Sequence, residues 1–484
     1  LEGPLFLTPP LTPQSGALVG GFGEGEIKKD DTPREDMHYF NFGMEHGAEA
    51  FIAMARRGHD IINHDNYRRM LNWYIYSVEP YGYKFSTHGD TIRQDGGLMD
   101  NYTLLKYVWP HSFPLDYAWR HRMGDDYEKF NQFHDYLLPA IFGANLLAES
   151  GDAAAIDMPL AFYSEDRGFS VARSSWKNDA IGLRFSSRVD LHTTGHYHSD
   201  QNSFTLTARG RDWIKDWGYH SYRDFQHNLV LIDGKAQGYF PSASEFPIFI
   251  HNDVITTSVG DAQYAYTYRW VHNSRRGASG YKKYSWELEP GVDQKGRTNT
   301  TWRSQWNPVE KAFRTLSLIR GKHPYVLVVD DVKKDDRTRV YDWLLQLLET
   351  NQVISKRDNE IILAQGRERL LVRIIHANER TKSSFENFRV DRMVDNGGVD
   401  RVHANIGTKR RLIFTTKAKE LGIKVLLYPF SEGMPLPDTS AGENGESIQI
   451  SFDGQKDVFR FLDVKGRSGF RFSRNGQEIA ATDD

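Results

Sequence analysis

The chain contains no cysteine. Disulfide frameworks and cysteine-based zinc sites are thereby excluded. The same absence fits an exported bacterial protein, although cytosolic proteins also lack the residue. No stretch reaches the roughly 20 consecutive apolar residues of a membrane helix, so no membrane span is expected. No secretory leader is visible either. The sequence opens on Leu1-Glu2-Gly3-Pro4, which reads as the interior of a longer protein, so the missing leader says nothing about export. An excess of one charge is missing as well. The formal net charge is −3 and no long basic or acidic run occurs, so no nucleic-acid partner is expected. Solenoid-type repeats and low-complexity tracts are also absent.

What is present is an ordinary globular composition. The 484 residues allow roughly two to four domains. An apolar fraction of 39% suffices for a large core. Aromatics are plentiful, with 11 Trp, 24 Tyr and 28 Phe. Core packing explains them; a carbohydrate cleft, where flat rings stack on sugar faces, is the functional alternative.

Two patterns divide the chain. Residues 36 to about 150 read as helical. Gly47 to Ala55 carries strong helix formers on a helical apolar stripe. Tyr67 to Tyr76 forms a second helix ended before Pro80, Asp100 to Tyr107 a third with Asp100 or Asn101 as N-cap, and Tyr127 to Tyr136 a fourth. Beyond about residue 155, short runs that alternate with period two take over: Ser203 to Thr207, Asn228 to Ile232, Tyr325 to Val329 and Ile423 to Tyr428. Turn signals separate them, among them Arg209-Gly210, Asp233-Gly234, Asp395-Asn396-Gly397-Gly398 and Asp453-Gly454. The expectation there is stacked antiparallel sheets.

The chemistry concentrates in Gly195-His196-Tyr197-His198-Ser199-Asp200-Gln201-Asn202. Histidines at i and i+2 are expected to share one face of a strand. Asp216 lies eighteen residues after His198, a distance that fits one hairpin return, and His227 follows eleven later. Two imidazoles and a carboxylate suit zinc or a similar divalent ion. A hydrogen-bonded His/Asp network without metal is the alternative.

These residues carry a family resemblance. The run from Gly195 through Ser203-Phe204, then Asp216-Trp217-Gly218, then His227-Asn228 with Val230 and Asp233-Gly234, resembles the heparinase II/III-like superfamily. That group holds lyases acting on heparin, heparan sulfate, alginate and ulvan, and the dermatan sulfate epimerases, whose signature the run especially resembles. Upstream, Phe22-Gly23-Glu24-Gly25 and Tyr39-Phe40-Asn41-Phe42-Gly43 resemble the family's aromatic-Glu-Gly element and the tyrosine that follows it.

The resemblance implies an α+β multidomain fold: a partial α/α toroid followed by antiparallel β-sandwich domains. The divisions are residues 1–152 for the toroid part, 153–430 for a central sandwich carrying the His-x-His motif, and 431–484 for a small β region. The family's earlier Asn-His pair has no counterpart before residue 22, and Asn63-His64 falls after Tyr39, so the first half of the toroid is expected to be missing. The implied activity is a polysaccharide lyase that cleaves uronic-acid-containing glycans by β-elimination. A uronyl C5-epimerase using the same site, or an inactive carbohydrate-binding relative, are the alternatives. Tyr39, His196 and Tyr219 are the implied catalytic residues, with Gln201, Asn202 and Arg223 on the substrate. His198, Asp216 and His227 are the implied ligands of a mainly structural zinc. The implied partner is an anionic polysaccharide, the setting periplasmic or secreted, and a homodimer one expected assembly.

Overall fold

The computed structural model describes residues 57–58, 75–81, 89, 158–189, 198–218, 224–235, 237, 240–241, 244–272, 302–306, 308–389, 392–396, 399–403 and 408–483. Most of this chain is strand. A five-stranded antiparallel meander runs in sequence order through Ala161–Ser164, Phe169–Arg173, Gly182–Ser186, Ser203–Ala208 and Arg211–Ile214. An eight-stranded sheet has the order Gln352–Arg357, Glu360–Gln365, Glu368–Ala377, Leu421–Ser431, Tyr325–Lys333, Lys311–Ile319, Ile255–Asp261 and Glu245–His251. A four-stranded sheet places Thr381–Arg389, Thr408–Ala418, Arg339–Leu347 and Val230–Ile232 side by side. The last sheet is again a meander, from Asp438–Ala441 to Gln477–Ala481.

The central strands of the eight-stranded sheet are buried on both faces, and their sequence shows why. Along Tyr325–Lys333, Val326 and Val328 point into one core with Phe204, Leu206, Trp343 and Phe414. Tyr325, Leu327 and Val329 point into a second core with Ile448, Phe459, Phe470 and Phe472 of the C-terminal sheet. Side chains alternate sides along a strand, so a strand covered on both faces needs an unbroken apolar run. The same holds for Leu421–Ser431, where Val425 and Leu427 face the first core and Leu426 and Tyr428 the second.

Tight turns set the hairpin registers. Arg209 and Gly210 both have positive φ, 55° and 70°, as do Asp233 and Gly234, 50° and 73°. Two consecutive left-handed residues match the twist of the flanking strands and favour glycine second.

The expected α+β organisation with a partial α/α toroid is corrected by these findings. Among the described residues, helix is confined to short turns such as 75–77 and Gln263–Thr267, and antiparallel sheets make up the architecture. The expectation leaned on the helix formers upstream of residue 150. The described mass lies downstream, where β-branched and aromatic runs with glycine turns dictate sheet. Residues 75–77 are helical and the chain leaves the helix before Pro80; the expected helices at 47–55, 100–107 and 127–136 lie outside the described residues.

Candidate metal centre

Three segments converge at one end of the meander. The hairpin formed by Ser203–Ala208 and Arg211–Ile214 returns the chain to where it began, so His198, ahead of the first strand, meets Asp216, just past the second. A single 3-10 turn at Asp224–Gln226 then delivers His227 ahead of the strand Val230–Ile232. One ligand atom from each of His198, Asp216 and His227 lies within 4.8 Å of the others, and all three residues are buried. The spacing argument thus brings these three together. Its premise needs one correction: residues 198–200 are loop, not strand. The polar run Ser199 to Asn202 forms a turn closed by the Ser203 N–H donating to Asp200 O at 2.9 Å, with Asn202 at φ 62°.

The electrostatics of the cluster fit a cation. Asp216 is fully buried; one carboxylate oxygen accepts from the Gly218 N–H at 2.8 Å, and the other lies 2.9 Å from Nδ1 of His227. In the tautomer whose Nδ1–H donates to the Asp216 carboxylate, Nε2 carries the lone pair. Nε2 of His227 is buried and has no hydrogen-bond partner. The His198 and His227 rings sit 5.3 Å apart at 45°. Buried polar atoms are ordinarily satisfied, and a buried carboxylate requires compensation. Bonds of about 2.0–2.1 Å to a tetrahedral ion would hold donors about 3.3 Å apart. One ligand atom from each of the three residues falls within a 4.8 Å envelope, wide enough to take that separation. His198, Asp216 and His227 therefore have the chemistry, burial and separation to hold a divalent ion.

The surrounding turn is braced from the eight-stranded sheet. Gln201 is fully buried; its Oε1 accepts from the Arg188 N–H at 2.6 Å, and the Gln237 amide bonds both its backbone groups at 2.9 and 2.8 Å. Nδ2 of Asn202 donates to Ala312 O at 2.9 Å and Gly260 O at 3.3 Å. A Cβ at position 260 would fall 2.2 Å from Oδ1 of Asn202, so only glycine admits this approach. Arg314, paired in a buried bidentate bridge with Asp330 at 2.8 and 3.0 Å, donates through Nη1 to Asn202 O at 2.7 Å and to Asn228 O. It thereby ties the His198 turn to the His227 loop.

Tyr39, His196, Tyr219 and Arg223 lie outside the described residues. The sequence reading did not find Arg314, Gln237 or Gln346. The available signal was a lone polar residue in an apolar strand, as in Trp343-Leu344-Leu345-Gln346-Leu347.

No protein-family model matches the sequence, and no curated protein matches it by sequence. Solved structures match by fold. The heparan sulfate lyase HepC from Pedobacter heparinus aligns with a TM-score of 0.61 at 13% identity, over 97% of this chain and 62% of that one. A heparinase III structure gives 0.60 at 13% identity, over 96% and 62%. A second heparinase III, with methylated lysines, gives 0.60 at 15%, over 93% and 59%. Such identities speak for the fold alone: the chain has a heparinase III-like fold. It spans about 60% of the length of these lyases.

Proposed function

We propose that the protein is a polysaccharide lyase that cleaves uronic-acid-containing glycans by β-elimination. The observation that carries this reading is the fold shared with heparan sulfate lyases along nearly the whole chain. The buried cluster of His198, Asp216 and His227, two residues from His196, supports it.

The reaction removes the weakly acidic proton at C5, alpha to the uronate carboxylate. Donors around that carboxylate stabilise the enolate-like intermediate. A base takes the C5 proton, the electron pair forms the C4–C5 double bond, and the C4–O bond breaks as an acid protonates the departing sugar. In this reading Tyr39 is the acid, and His196 the base or the carboxylate neutraliser. Tyr219, three residues beyond Asp216, is a second proton-transfer group, and Arg223 pairs with a substrate anion. Gln201 and Asn202 serve the substrate by holding the turn that follows His198. A divalent ion would be held by His198, Asp216 and His227, where it would cross-link the loops rather than act as a Lewis acid. A polyanionic polymer does not cross a bilayer unaided, so the proposed activity belongs in the periplasm or outside the cell. Among the described residues no helix is long and apolar enough to cross a membrane.

The test is ultraviolet absorbance over time with heparan sulfate, chondroitin and dermatan sulfates, alginate and ulvan. The expected result is a rise on one of them from new unsaturated ends, lowered at least about 100-fold in Tyr39→Phe by loss of the proton donor. No rise on any substrate, with C5 hydrogen exchanging for solvent deuterium, contradicts lysis and identifies an epimerase. Neither rise nor exchange, with polysaccharide retarded in a gel, identifies a binding protein.

A further inference from the structure

We infer that Gln346 is a positioning residue that holds Asp216 and His227 at ligating separation. The inference rests on reading His198, Asp216 and His227 as a metal centre.

Gln346 sits in the strand Arg339–Leu347, and its surroundings follow from a mismatch of strand lengths. The neighbouring strand Val230–Ile232 pairs only with Tyr341 to Trp343. Beyond that point, Gln346 has no strand partner on this side, and its backbone groups bond to the metal-site loops instead. Its N–H donates to Oδ1 of Asn228 at 2.6 Å, and its carbonyl accepts from the Lys215 N–H at 3.1 Å. The Asn228 side chain in turn donates to Lys215 O at 3.1 Å. Both backbone groups of Lys215 are thus held, and Asp216 is the next residue.

The Gln346 side chain grips the other loop. Its Nε2 donates to the carbonyls of Phe225 at 3.2 Å and His227 at 3.0 Å. One fully buried residue therefore connects the backbone next to Asp216 with the backbone of His227 itself. Two carbonyls around Nε2 fix the amide orientation, since a flipped amide would set oxygen against oxygen. The opposite atom, Oε1, is buried with no hydrogen-bond partner. A core filler would avoid that cost, and leucine residues fill the neighbouring positions 344, 345 and 347. The amide is present for its two N–H donors, and both go to the ligand loop.

Outer residues that orient metal ligands typically change metal affinity about 10- to 100-fold when removed. The test uses the full chain, Gln346→Met to keep shape without donors, and Gln346→Asn to keep the amide but shorten its reach. Cobalt(II) is titrated against a chromophoric chelator, with the cobalt visible spectrum and the far-ultraviolet circular dichroism of the metal-free protein recorded alongside. The expected result is a wild-type protein that binds cobalt and variants that keep the wild-type dichroism. The variants bind about 10- to 100-fold more weakly, with a changed cobalt spectrum. Folded variants with wild-type affinity and spectrum would overturn the positioning role and leave the metal centre standing. A wild-type protein that binds neither cobalt nor zinc would overturn the metal centre and the inference together.

Discussion

Asp261 shows how one half-buried carboxyl reports on the ground beneath the site. It ends the strand Ile255–Asp261, next to the Gly260 carbonyl that receives the Asn202 side chain. Burial pushes its pKa up from 3.8 to about 6, against the Gln263 N–H that favours the charged form. A carboxyl raised on folding binds its proton more tightly in the native state. The stability contributed by this group is therefore full below pH 3.8 and is lost as pH rises toward 6, with no further change above. At about 1.4 kcal/mol per pH unit, the penalty at neutral pH reaches about 3 kcal/mol. The expected outcome for Asp261→Asn is a gain of that order in urea unfolding at pH 7, shrinking toward zero near pH 4. Equal effects at both pH values would contradict it. At this scale the convergence of His198, Asp216 and His227 was legible, because the hairpin spacing returns the chain to where it began. Arg314 and Gln346 were not legible. A polar residue inside an apolar strand has no local mark of its partners, which here come from loops distant in the chain.

At the scale of elements, residues 75–81 dock on the meander through two buried arginines from adjacent strands. Arg184 pairs with Glu79 and donates to the carbonyls of Tyr76 at 3.1 Å and Ser77 at 2.8 Å. Arg173 donates to the carbonyls of Ile75 and Val78. These are the carbonyls a helix end leaves without internal partners, and a cation suits that end of the helix dipole. Glu79 is held by Arg184 and by the Thr207 hydroxyl at 2.7 Å, while burial pushes its pKa up. Removing one partner strands the other in the interior. Arg184→Met is expected to cost about 3–5 kcal/mol in urea unfolding, and the double variant with Glu79→Leu to recover most of it. A single-variant cost below about 1 kcal/mol would contradict the latch. The apolar runs marked the strands, and both Arg209-Gly210 and Asp233-Gly234 proved to be left-handed turns. The toroid expectation fared differently, because helical periodicity upstream says nothing about the sheets that dominate the described residues.

Among the described residues, the eight-stranded sheet, covered on both faces at its centre, organises the rest. Its strand order joins Tyr325–Lys333 to Leu421–Ser431 and Ile255–Asp261 to Lys311–Ile319, pairings between segments far apart in sequence. Local propensity carries no information on such pairings, so strands were legible and their order was not. That order seats the strands of Asn202's partners, Gly260 and Ala312, side by side beneath the His198 turn. The rigid layer thus supports loops that carry the proposed chemistry. Elimination is separated from hydrolysis and epimerisation by mass spectrometry of the products formed from a uronate polysaccharide in 18O-labelled water. The account predicts shorter chains with unsaturated ends and no 18O incorporated during cleavage at the new reducing ends. Saturated products carrying one 18O at each cleavage point would contradict it.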